Sequence, residues 1–158
     1  LGERMTLADA AVYGQLGMNL SDPSASRWIQ SRAPVLYAWL QRLHQGDHEL
    51  LNARGELQID AALTPLLAEI SRVFVPLMQQ NLTAYERLKG QGETVFNEAA
   101  FNTGRSLYIG EIDGQPFCHV AKPFQAKVWR QRLRQWQVLP DTLKQRTELS
   151  PLAKLLPD

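Results

Sequence analysis

The apolar pattern between Leu63 and Leu88 constrains the fold more than any other feature of the chain. Large apolar residues recur there near heptad spacing, interrupted only by the polar Asn81. Such spacing is typical of a helix with one buried face. Pro65 suits the first turn of this helix, whereas Pro76 lies inside it and predicts a kink. The apolar positions are Leu63, Leu67, Ile70, Phe74, Leu77, Tyr85 and Leu88.

Shorter helical patterns precede this stretch. Thr6 and Asp9 have the spacing of a capping box, and the apolar segment that follows, to about Leu20, predicts a buried central helix. A short segment follows over about 24–32, and Pro34 then opens a helix with an apolar stripe. The polar stretch 48–60 predicts a connecting loop.

A β-hairpin and further helices are predicted after the long helix. A short helix is expected over 97–101, although Val95 and Phe96 also permit a strand there. Asp113-Gly114 joins two strands, over about 106–112 and 115–120, because both turn residues tolerate positive φ. Pro123 then opens the last substantial helix, and two short helices complete the pattern, over about 141–145 and 151–156. The fold class predicted is mainly α, a helical bundle with one small β-hairpin.

The totals suit one globular domain. The chain has 158 residues, of which 44% are hydrophobic and 21% charged, and its net charge of +1 gives no global attraction to nucleic acid. We expect a single domain over 1–158. No apolar run approaches the roughly 18 residues that span a bilayer, so no membrane partner is expected. The single Cys118 cannot form an internal disulfide, and no Cys or His cluster has metal-site spacing, so a cytoplasmic location is predicted. The thiol is expected to be a small buried residue.

Two blocks within residues 1–45 carry a family resemblance. The first is Gly2-Glu3-Arg4-Met5-Thr6-Leu7-Ala8-Asp9-Ala10-Ala11-Val12-Tyr13-Gly14-Gln15-Leu16, and the second is Ala33-Pro34-Val35-Leu36-Tyr37-Ala38-Trp39-Leu40-Gln41-Arg42-Leu43. They resemble the capped sixth helix and the following helix of the glutathione-transferase C-terminal domain. Residues 46–158 would hold the long helix, the hairpin and the C-terminal helices, and 96–127 resembles the C-terminal extension of certain bacterial glutathione-transferase-like proteins.

The resemblance implies a helical bundle of the glutathione-transferase C-terminal type. It also implies that glutathione binds mainly to a thioredoxin-like domain of the parent protein, a domain that is not found in this sequence. The chain starts without an initiator methionine, so we expect a longer parent. No catalytic, cofactor-binding or metal-binding residue is carried over from the family, and this chain alone is expected to hold no cofactor and to be inactive.

Two groups of residues are candidates for a site. Thr6 and Asp9 are interpreted as a structural cap, because their side chains can satisfy unpaired helix amides. No acidic residue occurs from Gln115 to Pro140, so a speculative anion patch lies in that segment. A solvated helix face is the alternative that we favour, since Trp129 and Trp136 have core spacing, and nucleic acid is not expected as a partner. The patch comprises Lys122, Lys127, Arg130 and Arg134.

The histidines and Cys118 are given structural interpretations. His44 and His48 have no metal-ligand pattern around them, and an interaction of His44 with a helix C-terminus is favoured. Cys118 and His119 resemble an activated thiol pair, but neighbours on a strand point to opposite faces.

Two functions therefore compete. The first is the C-terminal part of a glutathione-transferase-like protein, contributing to the fold, an electrophile pocket or a homodimer. The second is a non-enzymatic helical module that binds a protein or an anionic partner.

Overall fold

The computed structural model describes residues 5–47 and 61–156. The chain divides into two compact units, Leu1–Gln58 and Ile59–Asp158. The described parts are mainly helical with one small antiparallel hairpin, so the predicted fold class is confirmed at that level. The glutathione-transferase type of bundle and the single domain stay predictions. The predicted loop over 48–60 lies outside the described residues.

The described part of the first unit, residues 5–47, contains three short helices. They are α1 (Leu7–Leu16), which continues as a 3₁₀ turn over Gly17–Leu20, α2 (Pro23–Arg32) and α3 (Pro34–His44). Asp22 caps α2 by accepting hydrogen bonds from the amides of Ser24 and Ala25, both at 2.8 Å. Within the described part of the first unit, the buried side chains are few and come from all three helices: Asp9, Ile29 and Leu40.

The α1 helix is present, but the prediction that it is buried is wrong. Asp9 is its one buried residue, and Leu7 is 87% exposed. Ala8, Ala10 and Ala11 are exposed as well. Within the described part of this unit, α2 and α3 cover only part of the surface of α1. An apolar surface is therefore left facing outward.

The second unit is built on a long helical stretch. A 3₁₀ turn over Ala61–Leu63 leads into α4 (Thr64–Glu69), a π-helical turn over Ile70–Phe74, and α5 (Val75–Gly90). The π turn ends two residues before Pro76, whose nitrogen carries no hydrogen to bond to the preceding turn. The kink predicted at Pro76 stays a prediction, and the π turn lies just upstream of that residue.

This stretch also satisfies a length and composition test for crossing a membrane. An 18-residue window within Ala61–Gly90 has a mean hydropathy of 1.4, and 17% of that window is buried. The stretch also contains Glu69, Arg72 and two prolines, and the expectation of no membrane partner stays a prediction. Among its large apolar side chains, Leu66 and Phe74 are exposed.

The remaining elements follow the long stretch along the chain. They are α6 (Glu98–Asn102), β1 (Leu107–Ile112), β2 (Gln115–Val120), α7 (Pro123–Gln137), α8 (Asp141–Lys144), a 3₁₀ turn over Thr147–Leu149, and α9 (Ser150–Ala153). The β1 and β2 strands pair antiparallel, with Ile112 opposite Gln115. The turn residues Asp113 and Gly114 have φ of 52° and 73°, as the tight hairpin requires.

The core of this unit has two parts. One is formed by Val75, Met78 and Trp129, where α5 meets α7. The other is formed by Ala84, Tyr108 and Ala121, where α5 meets the hairpin. The two ends of α5 thus pack on different partners, its first turn on α7 and its later part on the hairpin.

Polar amides of α5 hold the hairpin and the start of α7. Gln80 donates to the carbonyl of Glu111 at 2.9 Å and accepts from its amide at 2.8 Å. Asn81 does the same to Lys122, at 3.1 Å and 2.7 Å. Gly110 leaves room for this approach, since a Cβ there would lie 2.6 Å from Oε1 of Gln80. We call the two amide side chains the amide clamps.

Candidate functional site

The start of α1 has a capping box where the sequence predicts one. The hydroxyl of Thr6 accepts from the amide of Asp9 at 3.3 Å, while the carboxylate of Asp9 accepts from the Thr6 amide at 2.8 Å and from its hydroxyl at 2.5 Å. Burial acts to raise the pKa of Asp9, but hydrogen bonds that include those from Thr6 outweigh it and lower the pKa below the ordinary value. The box is a structural device at a helix start.

The predicted anion patch is divided in the structure. Lys127, Arg130 and Arg134 are exposed on α7, at spacings that put them on one helix face. Arg130 is neutralised by Glu86 of α5, with its Nη2 2.7 Å from a carboxylate oxygen. Lys122 stands apart, just before α7, where it lines a cavity beside the hairpin. The four cations therefore do not form one continuous anion surface.

That cavity has a volume of about 640 Å³, within the range typical of small-molecule sites. We call it the hairpin cavity. The apolar part of its wall comes from Phe96, Phe101 and Val120. The polar part comes from α6 and its cap, from the end of β2 and from the residue before α7: Asn97, Glu98, Asn102, His119 and Lys122.

Hydrogen bonds fix the frame of the hairpin cavity. Asn97 caps α6 by accepting from the amide of Ala100 at 3.3 Å. Asn81, buried in α5, holds both backbone groups of Lys122. The hydroxyl of Ser106 donates to the carbonyl of Val95, joining the strand entry to the segment before α6. The elements that carry the lining side chains are therefore positioned independently of any ligand.

The charged groups of the hairpin cavity have no ion-pair partner within the described residues. Lys122 and Glu98 are both exposed and lie on one cavity wall without a salt bridge to each other or to another side chain. His119 contributes an imidazole whose ring contacts Phe117 at 4.9 Å between centroids. A cation, an anion and an imidazole thus border one partly apolar space.

A second cavity, of about 300 Å³, lies in the other part of the core. We call it the tryptophan groove. It is lined almost entirely by apolar side chains from the π turn, α5, α7 and the C-terminal segment. These residues are Ile70, Phe74, Val75, Trp129, Trp136, Leu139, Leu152 and Leu156, with Arg132 and Gln135 as the polar members.

Other candidates from the sequence have structural places. The Nδ1 of His44 lies 3.0 Å from the hydroxyl of Tyr13, at the end of α3. Cys118 is exposed, so the expectation of a buried thiol is wrong; its neighbour His119 on β2 is exposed as well. His48 lies outside the described residues. Within 5–47 and 61–156, no group of three or more acidic, histidine or cysteine side chains could hold a metal ion.

The buried hydrogen-bonding role of Asn81 and the cavity positions of Glu98 and Asn102 were not predicted from the sequence. Asn81 interrupts the apolar heptad pattern, and a lone polar residue in such a pattern signals a buried hydrogen-bonding role. Glu98 and Asn102 gave no comparable signal, because only the folded hairpin brings them near Lys122.

Comparison with known proteins found no family model, no curated protein and no solved structure that matches the chain.

Proposed function

We propose that the second unit is a binding module for a small organic zwitterion with an apolar body, held in the hairpin cavity. The observation that carries this proposal is that Lys122 and Glu98, neither of which has an ion-pair partner in the described part of the chain, line a cavity together with two phenylalanines. A ligand carboxylate pairs with Lys122, with His119 nearby as a further donor. A ligand ammonium group pairs with Glu98.

The apolar wall of the hairpin cavity determines which ligand side chain is bound. Phe101 is 54% exposed, and Phe96 is half-buried beside it, so an aromatic or aliphatic side chain can cover surface that now faces outward. Aromatic contacts add geometric preference to that burial. An apolar α-amino acid, or a short peptide that ends in one, has the required combination of charges and apolar surface.

Calorimetric titration with L-phenylalanine tests this assignment. We expect saturable binding to the whole chain, and at least tenfold weaker binding of phenylalaninamide and of 3-phenylpropanoate, which each lack one charge. Lys122→Gln should weaken binding of phenylalanine about tenfold without changing the fold, because Asn81 holds only the backbone of Lys122. Lys127→Gln, a change in an exposed lysine outside the cavity, is the matched control.

Two results would contradict the assignment. One is equal affinity for phenylalanine and its two truncated analogues, which would remove the role of the charges. The other is unchanged affinity in both Lys122→Gln and Glu98→Gln. Affinity lost equally in Lys127→Gln would point to the face of α7 instead of the cavity.

We also propose that the chain is the C-terminal part of a glutathione-transferase-like protein, inactive alone and without the glutathione site. The α1 helix supports this proposal, since it is started by a capping box and is apolar on every side, yet is largely exposed within its own unit. In a longer parent, further helices and a thioredoxin-like domain would cover it. A homodimer interface would also bury exposed apolar surface such as that of α1.

A further inference from the structure

The tryptophan groove contains a buried donor without an acceptor. The Trp129 side chain is 5% exposed, and its Nε1 has no hydrogen-bond partner within the described residues. A buried N–H without an acceptor is destabilising, so a ligand that brings an acceptor to it gains by pairing with it. Phe74 fixes the indole ring through an edge-to-face contact, with centroids 6.1 Å apart.

The groove also contains one unbalanced charge. Arg132 is the charged member of the lining, and no carboxylate lies within salt-bridge distance of it among the described residues. Its Nη1 donates to Oε1 of Gln135 at 2.6 Å, which orients the guanidinium and leaves its other donors for a ligand. Arg132 follows Trp129 by three positions on α7, so both donors lie along one helix face.

The remaining wall selects an apolar chain. Eight of its side chains are apolar, and the far wall is held in place because Gln79 donates to the carbonyl of Leu155 at 2.9 Å. A purely polar ligand gains no binding free energy from such an apolar wall, whereas an alkyl chain gains binding free energy when it leaves water. An uncharged chain would leave both donors without an acceptor.

We propose that the tryptophan groove binds the alkyl chain of a medium-chain carboxylate. The carboxylate pairs with Arg132 and accepts from Nε1 of Trp129, and the chain displaces the side chains that cover this nitrogen. The chain itself lies along Phe74, Trp136 and Leu152. This site is separate from the hairpin cavity, and neither proposal depends on the other.

Titration of the whole chain with decanoate tests the proposal, followed by calorimetry and tryptophan emission. We expect saturable binding and about tenfold weaker binding of decanol, which lacks the charge. Arg132→Gln should weaken decanoate binding about tenfold and bring it close to that of decanol. Arg134→Gln removes an exposed charge of the same helix outside the groove, and should leave the affinity unchanged.

Trp129→Phe keeps an aromatic ring but removes the donor. It should weaken decanoate binding three- to tenfold and leave decanol binding nearly unchanged, whereas general damage to the groove would weaken both. Equal affinities for decanoate and decanol in the unaltered chain would overturn the proposal, as would unchanged decanoate binding in Arg132→Gln. A micromolar dimer that excludes decanoate would assign the groove to a second copy and overturn it as well.

Discussion

A single buried carboxylate organises the start of α1. Asp9 is 2% exposed, and its oxygen accepts from both the amide and the hydroxyl of Thr6. The pair was predicted from its spacing alone, because a capping box depends on residues three apart and on little else. Its burial was not predictable in the same way, since burial depends on how α1 packs with the rest of its unit.

Replacing Asp9 with Ala should lower the free energy of unfolding by about 1 kcal/mol at pH 7. Because the folded pKa of Asp9 lies below the unfolded value, its stabilisation is present above about pH 4 and is lost as the pH falls through the folded pKa. Urea unfolding at pH 7 and at pH 3 measures both. The exposed Ser24→Ala should change neither value, and an equal loss at the two pH values for Asp9→Ala would contradict the assignment.

At the scale of elements, the amide clamps decide how the hairpin and α7 meet the long helix. Asn81 is 1% exposed and satisfies both backbone groups of Lys122, whereas Gln80 is half-buried and satisfies those of Glu111. The pairing of the strands was predicted from Asp113-Gly114, because tight-turn chemistry is local. The clamps join residues 31 and 41 positions apart, and local patterns carry no information about such contacts.

Replacing Asn81 with Ala should cost about 1–3 kcal/mol, since it leaves the amide of Lys122 without its partner, while the carbonyl of Lys122 still accepts from the amide of Ala126. Hydrogen exchange of the Lys122 amide should accelerate at the same time. Gln80→Ala is the matched change one residue earlier, and should cost about 1 kcal/mol and accelerate the Glu111 amide instead. Unchanged exchange at Lys122 in Asn81→Ala would show that the clamp does not hold the start of α7.

At the scale of the whole molecule, apolar surface remains exposed within each of the two units. Much of α1 and of the stretch Ala61–Gly90 faces outward. Helix type and order were predictable along the described chain because apolar periodicity and proline positions are local signals. The prediction of a buried α1 went wrong because composition shows that a helix needs covering, but not whether its own unit supplies the cover.

The protein encoded by the complete reading frame should bind glutathione if the chain is part of a glutathione-transferase-like protein. Equilibrium dialysis with glutathione measures this, and the 158-residue chain alone should not bind. Hydrogen exchange in α1 should also slow in the complete protein, because its exposed apolar side chains become covered. A complete protein that neither binds glutathione nor protects α1 would refute this proposal, while the two cavities of the second unit would remain to be tested separately.

Gly110 sits where the long helix and the hairpin come closest. No other amino acid fits there without moving Gln80, whose amide is already committed to Glu111. A strand that slipped by one position would bring a neighbouring side chain to this spot and clash with the helix. Glycine at position 110 thus permits one alignment of the hairpin on the helix, and that alignment sets the shape of the hairpin cavity beside His119.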